Sequence, residues 1–176
     1  MENFERLIKS RQSCRDFNDK PIDKETVVKI AELAMLAPSA CNSQPWRMYC
    51  ITEPEKVKQV SHAVQERGHN KFAKDAKAFI VVCDKNATLR PGTEQKFNRN
   101  HFVKYDVGEL VAYITLAAES MGVASCIIGW INYADLKAAV GYPDDELSNI
   151  VIALGYTDIP VRKKIRKDKD KIITVL

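Results

Sequence analysis

Ala37-Pro38-Ser39-Ala40-Cys41-Asn42-Ser43-Gln44-Pro45-Trp46 closes a helix, makes a polar turn and opens an apolar strand. Pro38 stops the helical pattern that begins near Lys24, because proline lacks the amide donor and disfavours helical geometry in the residue before it. Ser39, Asn42 and Gln44 offer hydroxyl and amide groups that can contact a polar planar ligand without adding charge. Pro45 fixes the backbone ahead of Trp46, and Arg47-Met48-Tyr49-Cys50-Ile51 continues as a short strand-like run. Taken alone, the stretch is an ordinary helix–turn–strand corner.

Upstream, residues 24–36 read as a helix whose apolar side is Val27, Ile30, Ala31, Ala34 and Met35, with Asp23 as its N-cap. An earlier amphipathic helix carries Phe4, Leu7 and Ile8 on one stripe. Between the two lies Arg11-Gln12-Ser13-Cys14-Arg15. Two arginines four residues apart can converge on one anion, and guanidinium forks suit phosphate oxygens. The competing reading is a solvated basic patch.

Downstream, the pattern predicts strands over 46–52, 78–83, 124–128 and 147–154, with helices over 54–66, 103–121 and 133–140. Residues 78–83 are continuously apolar, as a buried central strand requires. The helix over 103–121 is apolar around much of its circumference and must be buried by more than one partner. Residues 86–100 read as a polar loop or short irregular helix. Ile172-Ile173-Thr174-Val175-Leu176 has strong strand character at the end of the chain. Helices first, then strands separated by helices, predict an α+β or α/β sandwich around a mixed sheet.

The 176 residues suffice for one sizeable core and are short for two domains. A 45% hydrophobic and 28% charged composition is that of a soluble globular protein. The net charge of +4 is local: residues 162–171 hold seven basic and two acidic side chains. The remaining chain carries 20 basic against 21 acidic residues, so a broad nucleic-acid face is not expected. No segment approaches a membrane span, and five cysteines without paired spacing fit neither a disulfide scaffold nor a metal site. A cytoplasmic location follows.

Several chemistries lack their residues. No GxGxxG follows a strand, no phosphate-loop motif occurs, and His62, His69 and His101 have no metal-binding companions. No GxSxG elbow marks a hydrolase.

The chain resembles the nitroreductase family. Arg11-Gln12-Ser13-Cys14-Arg15 and the Ala37–Trp46 stretch are similar to that family's two N-terminal signatures. Asp106-Val107-Gly108, Gly122-Val123-Ala124-Ser125-Cys126-Ile127-Ile128-Gly129, Ile152-Ala153-Leu154-Gly155-Tyr156 and the basic residues after Pro160 follow in the family's order. The resemblance spans nearly the whole chain. It implies an α+β, nitroreductase-like three-layer sandwich with a mixed central β-sheet flanked by helices. It further implies one FMN-binding domain over residues 1–176, working as a homodimer; the strand-like tail beyond a highly charged extension predicts a C-terminal segment exchanged between subunits, the alternative being a tail folded back on its own sheet.

The implied activity is hydride transfer from NADH or NADPH through FMN to a nitroaromatic, quinone or related small-molecule acceptor. By the same resemblance Arg11, Gln12, Ser13 and Arg15 bind the flavin phosphate and polar tail, Gln12 standing where a basic residue is common. Lys164 and Arg166 match a late basic pair that approaches the same phosphate. Pro38, Ser39, Asn42 and Gln44 line the ring or ribityl region, from the opposite subunit, and Gln44 can instead brace the turn. Ile128 and Gly129 match the segment whose backbone faces the flavin ring. No residue is assigned as a catalytic proton donor, and no metal is expected. The short 86–100 segment leaves little room for the helical excursion of larger members. Two alternatives are a flavin-binding protein without turnover and a small basic interaction protein with no flavin. Neither nucleic acid nor membrane is an expected partner.

Overall fold

The computed structural model describes residues 2–176, apart from the side chains of Glu2, Glu94 and Asn149. Five helices and four strands alternate along the chain: α1 (Glu2–Ser10), α2 (Lys24–Ala34), β1 (Trp46–Ile51), α3 (Pro54–Val64), β2 (Ala78–Asp84), α4 (Val103–Ser120), β3 (Ala124–Ile128), α5 (Tyr133–Val140) and β4 (Leu147–Gly155). The sheet order is β1-β2-β4-β3, and all three strand pairings are antiparallel. Its mixed character comes from a single parallel bridge, Ser13 to Ser125, which docks the chain after α1 along the edge of β3.

The sheet is the middle of three layers, and β2 shows why. Alternate side chains of a strand point to opposite faces. Ala78, Ile80 and Val82 enter one core with Val27, Ile30 and Ala34 of α2 and Val107, Leu110 and Ile114 of α4. Phe79, Val81 and Cys83 enter the other with Val60 and Val64 of α3 and Leu136 and Ala139 of α5. Both sets in β2 are fully buried, each large apolar side chain contributing roughly 1.5–3 kcal/mol. The continuous apolar run of this strand therefore reflects two cores.

Local signals place the element ends. The Asp23 carboxylate accepts from the Thr26 amide at 2.6 Å and its hydroxyl at 2.8 Å, capping α2. Asn132 caps α5 by accepting from the Asp135 amide at 3.2 Å, and Gly141 ends it at φ 77, a conformation that favours glycine. At Gly155 a Cβ would sit 2.8 Å from the Phe17 ring, so only glycine lets the chain after Cys14 pack on the end of β4.

One expected element is missing. Residues 172–176 form no strand: after a 3-10 turn over Lys169–Lys171, Ile172, Ile173, Val175 and Leu176 are all exposed. A strand needs a neighbouring edge for its backbone groups, and the tail pairs with neither edge of its own sheet. The apolar stripe of α1 is likewise uncovered, with Phe4 and Ile8 exposed. No helix among the described residues is long and apolar enough to cross a membrane.

Candidate anion and cofactor site

Arg11 leaves α1 through a 3.0 Å bond from its amide to the Leu7 carbonyl, and residues 11–15 then run extended. The side chain is half-buried. Its Nε and Nη2 are buried atoms without a hydrogen-bond partner. Burial pushes its pKa below the usual arginine value, while Cys126 and Glu119 act in the opposite direction. A guanidinium stays charged in a protein, so this is a buried cation with two donors aimed at no protein acceptor. Such a group is costly unless something anionic completes it.

The C-terminal extension brings more positive charge to the same place. Lys164 Nζ donates to the Arg11 carbonyl. Arg162 Nη2 donates to the Ser13 carbonyl at 2.8 Å. The Arg162 amide and Nε both donate to Gln12 Oε1, at 3.2 and 3.1 Å. Gln12 Nε2 in turn donates to the Pro160 carbonyl at 3.3 Å. The result is a cleft of about 400 Å³ lined by Arg11, Gln12, Ser13, Arg162, Lys163, Lys164, Ile165 and Arg166. Five cations and no carboxylate line it. Two unpartnered donors of a buried arginine, a serine hydroxyl and surrounding cations suit a phosphate ester dianion.

Arg11, Gln12, Ser13, Lys164 and Arg166 thus meet across some 150 residues of chain. Gln12, however, ties down the extension with both ends of its amide. Arg15 does not line that cleft: it is exposed, sits 6.0 Å over the Phe72 ring and lines an adjoining cleft with Asp16, Ile159, Gln12 and Arg162, the last two of which line both. Within one chain Arg11 and Arg15 therefore line adjoining clefts rather than the same one.

The turn after α2 is a second built feature. Cys41, Asn42 and Gln44 all hold positive φ, at 55°, 52° and 48°. Each such non-glycine residue costs on the order of 1 kcal/mol, so the surroundings must over-determine the turn. Ser39 Oγ accepts from the Gln44 amide at 2.9 Å, and Gln44 Nε2 donates to the Asn42 carbonyl and Oδ1 at 3.1 and 3.2 Å. Ser43 Oγ accepts from the Thr88 amide at 2.7 Å. The fourth restraint was not predicted: Asp106, buried in α4, accepts from the Ala40 amide at 3.0 Å. Ser39 and Gln44 therefore shape the loop, while Pro38, Cys41 and Asn42 are exposed on it.

Ile128 ends β3 with its side chain in the core, and Gly129 beyond it is exposed, with open space where a Cβ would stand. Neither Gly129 nor any residue of the 38–44 turn lines the cationic cleft. One chain assembles the cationic cleft and presents the other groups separately.

Sequence reasoning missed two contributors, Arg162 and Asp106. Arg162 sits in a run of charges where nothing in the spacing singles it out. Asp106 carried a signal, an acidic residue on the apolar side of a buried helix, which is rare unless paired.

Comparison with known proteins decides the family. The sequence model of the Nitroreductase family matches residues 8–68 and 52–156. The chain belongs to that family. It is 31% identical over 162 residues to an Archaeoglobus fulgidus protein provisionally named NADH dehydrogenase/NAD(P)H nitroreductase, covering 89% of this chain and 86% of the relative. The structure of the nitroreductase family protein from Streptococcus pneumoniae TIGR4 superposes with a TM-score of 0.85 at 22% identity, over 98% of this chain and 100% of that one. A structure from Exiguobacterium sibiricum, solved in complex with FMN, gives a TM-score of 0.84 at 20% identity, covering 98% and 97%. At those identities the two structures speak to the fold, and the nitroreductase three-layer sandwich is the fold of this chain.

Proposed function

We propose that the protein is an FMN-dependent oxidoreductase, taking a hydride from NADH or NADPH and delivering it to a nitroaromatic, quinone or related acceptor. The observation that carries this reading is Arg11, half-buried and with two donors that find no protein partner, in a cleft of cations. Arg11, Ser13, Lys164 and Arg166 would hold the FMN phosphate, with Arg162 and Gln12 holding the extension in place behind them. FMN supplies the two-electron chemistry when bound, and the protein supplies binding, orientation and electrostatics. Family membership and the FMN complex of the Exiguobacterium sibiricum relative support the same cofactor. The absence of a dinucleotide fingerprint fits a nicotinamide that docks transiently and leaves before the acceptor enters.

The working unit in this reading is a cytoplasmic homodimer, one domain per chain. Pro38, Ser39 and Asn42 of one subunit and Arg11 of the other would complete each site. The uncovered Phe4, Ile8, Met35, Leu36 and Tyr105 and the apolar tail support that arrangement. The tail would supply the strand it cannot form alone by adding to a sheet edge of the other subunit.

Purified protein tests this directly. One FMN per chain should copurify, bleach anaerobically on addition of NADH or NADPH, and regain its colour with menadione or a nitroaromatic. Flavin that stays oxidised with either nicotinamide would leave a flavin-binding protein without turnover. No flavin at all would leave a basic interaction protein. A monomer in solution with full FMN content and turnover would rule out the shared site.

A further inference from the structure

The parallel bridge at the sheet edge brings together two cysteines that no spacing in the sequence connects. Ser13 pairs with Ser125, and the Cys14 amide donates to the Ser125 carbonyl at 2.9 Å. Cys14 and Cys126 are the next neighbours along that bridge. Adjacent strands lie about 4.8 Å apart, inside the Cα separation that a disulfide spans. The two side chains share a face of the sheet: Cys126 stands opposite Ala153 of β4, and Cys14 and Ala153 enter the same core. Both are free thiols, 4% and 1% exposed. Cys50 and Cys83 have no cysteine opposite them, their sheet neighbours being Ile80 for the first and Arg47 and Ser148 for the second.

The pair is open from one side only. Cys14 lines the cleft of about 220 Å³ that Arg15, Asp16 and Arg162 also line, and a smaller one of about 120 Å³ beside Glu119 and Val123. Its thiol donates to the Asp16 carbonyl at 3.1 Å, which holds the sulfur at the wall of the larger cleft. Cys126 lines neither cleft. Burial pushes the Cys126 thiol up; Arg15 pulls it down, Cys14 raises it, and Arg11 and Arg162 lower it again. Three arginines and the second sulfur thus act on the same group. Reactive cysteines sit in electropositive, partly open surroundings with a resolving thiol at hand, whereas an inert core cysteine has neither.

We propose that Cys14 and Cys126 form a dithiol that hydrogen peroxide oxidises to a disulfide, tying the segment behind the cationic cleft to the edge of the sheet. The Cys14 sulfur attacks one peroxide oxygen. An S–O bond forms as the O–O bond breaks, and the departing hydroxide takes the thiol proton and leaves as water. The Cys126 sulfur then attacks the Cys14 sulfenic acid. An S–S bond forms as the S–O bond breaks, and hydroxide leaves with the Cys126 proton as a second water. The two sulfurs lose two electrons and the peroxide gains two. Neither FMN nor nicotinamide takes part, so this inference stands or falls apart from the function proposed above.

The test uses the purified protein without nicotinamide, in a Cys41→Ser background that removes the exposed thiol and leaves four of the five cysteines. After peroxide at a dose that oxidises Cys41 in the wild type, maleimide labelling in denaturant should find two thiols instead of four. Peptide mapping should join Cys14 to Cys126, and dithiothreitol should restore all four. With Cys126→Ser added, Cys14 should stop at the sulfenic acid and take up dimedone. With Cys14→Ser added instead, Cys126 should remain a thiol. Four thiols surviving that dose, or a bridge that includes Cys50 or Cys83, would overturn the proposal. So would a bridge between two chains, or dimedone on Cys126 in the Cys14→Ser protein. Mapping of the Cys41→Ser protein decides the pairing even where a buried serine variant fails to fold.

Discussion

Two of the ions that this fold draws wholly or partly out of water make a contrast. Glu146 is 1% exposed, and its Oε2 accepts from the Tyr49 hydroxyl at 2.6 Å. Its Oε1 makes no hydrogen bond but lies 3.4 Å from Lys85 Nζ and 3.6 Å from Arg47 Nη1. Arg11, by contrast, has buried donors and more cations for neighbours. A buried charge whose partners come from its own chain ties elements together, here β1, the β2 terminus and the approach to β4. One left with unpartnered donors costs its own fold the desolvation and stays open to a ligand. Burial is common to both; hydrogen-bond and ion partners within the chain separate a brace from a candidate binding group.

The largest expected effect tests the brace. Glu146→Ala leaves a cavity and an unpartnered Tyr49 hydroxyl, and should lower the free energy of unfolding by about 2–4 kcal/mol. Urea titration of the FMN-free protein measures it. The FMN dissociation constant of the folded fraction should be unchanged, because Glu146 does not line the cationic cleft. A variant as stable as wild type would show that Arg47, Lys85 and Tyr49 gain as much from water as from the carboxylate.

Arg11→Ala should show the reverse signature. Losing a charge-assisted contact to the phosphate should weaken FMN by about 1.5–3 kcal/mol, roughly ten- to 150-fold. The FMN-free protein should be no less stable than wild type, because the substitution removes a desolvated charge two of whose donors find no protein partner. Flavin fluorescence titration and urea unfolding of the same variant separate the two. An unchanged FMN affinity would remove the phosphate assignment, and a large loss of stability would make Arg11 a brace like Glu146.

The same contrast marks what could be read in advance. The layers were legible because burial on both faces of a strand demands an unbroken apolar run, and 78–83 provides one. Helix ends were legible at Asp23 and Gly141, where capping chemistry is local. The helix predicted over 24–36 stops at Ala34, two residues early, because Pro38 already forces the chain through Met35–Ala37 into turns. Residues 172–176 read as a strand because their β-branched side chains report propensity, whereas a strand also needs an edge to pair with, and the tail reaches neither edge of its own sheet. At the site, Arg11, Ser13, Lys164 and Arg166 could be gathered only by family resemblance, since no spacing links positions 150 residues apart. Glu146 gave no warning at all: it closes the acidic run Asp144-Asp145-Glu146, and only the fold shows this third member turned inward.

The smallest effect comes from two protons near Glu146. Burial pushes the Cys83 thiol up to about 12, with the Glu146 charge adding to it. The Tyr49 phenol is also pushed up to about 12, first by burial and then by its hydrogen bond to Glu146. In both groups the folded protein favours the neutral form, so above the ordinary thiol and phenol pKa values it binds more protons than the unfolded chain. Their contribution to stability is therefore complete below about pH 9, and is lost as pH rises from there to about 12. Thermal melts across this alkaline window should show a steeper decline in wild type than in Tyr49→Phe, which removes the phenol's share and leaves the thiol's. Cys83→Ala should remove the other share. Arg11→Ala, whose site contains neither group, should decline in parallel with wild type. If the Tyr49→Phe and wild-type curves stay parallel from pH 9 to 12, the phenol is not held neutral by Glu146. The carboxylate would then be braced by Arg47 and Lys85 alone.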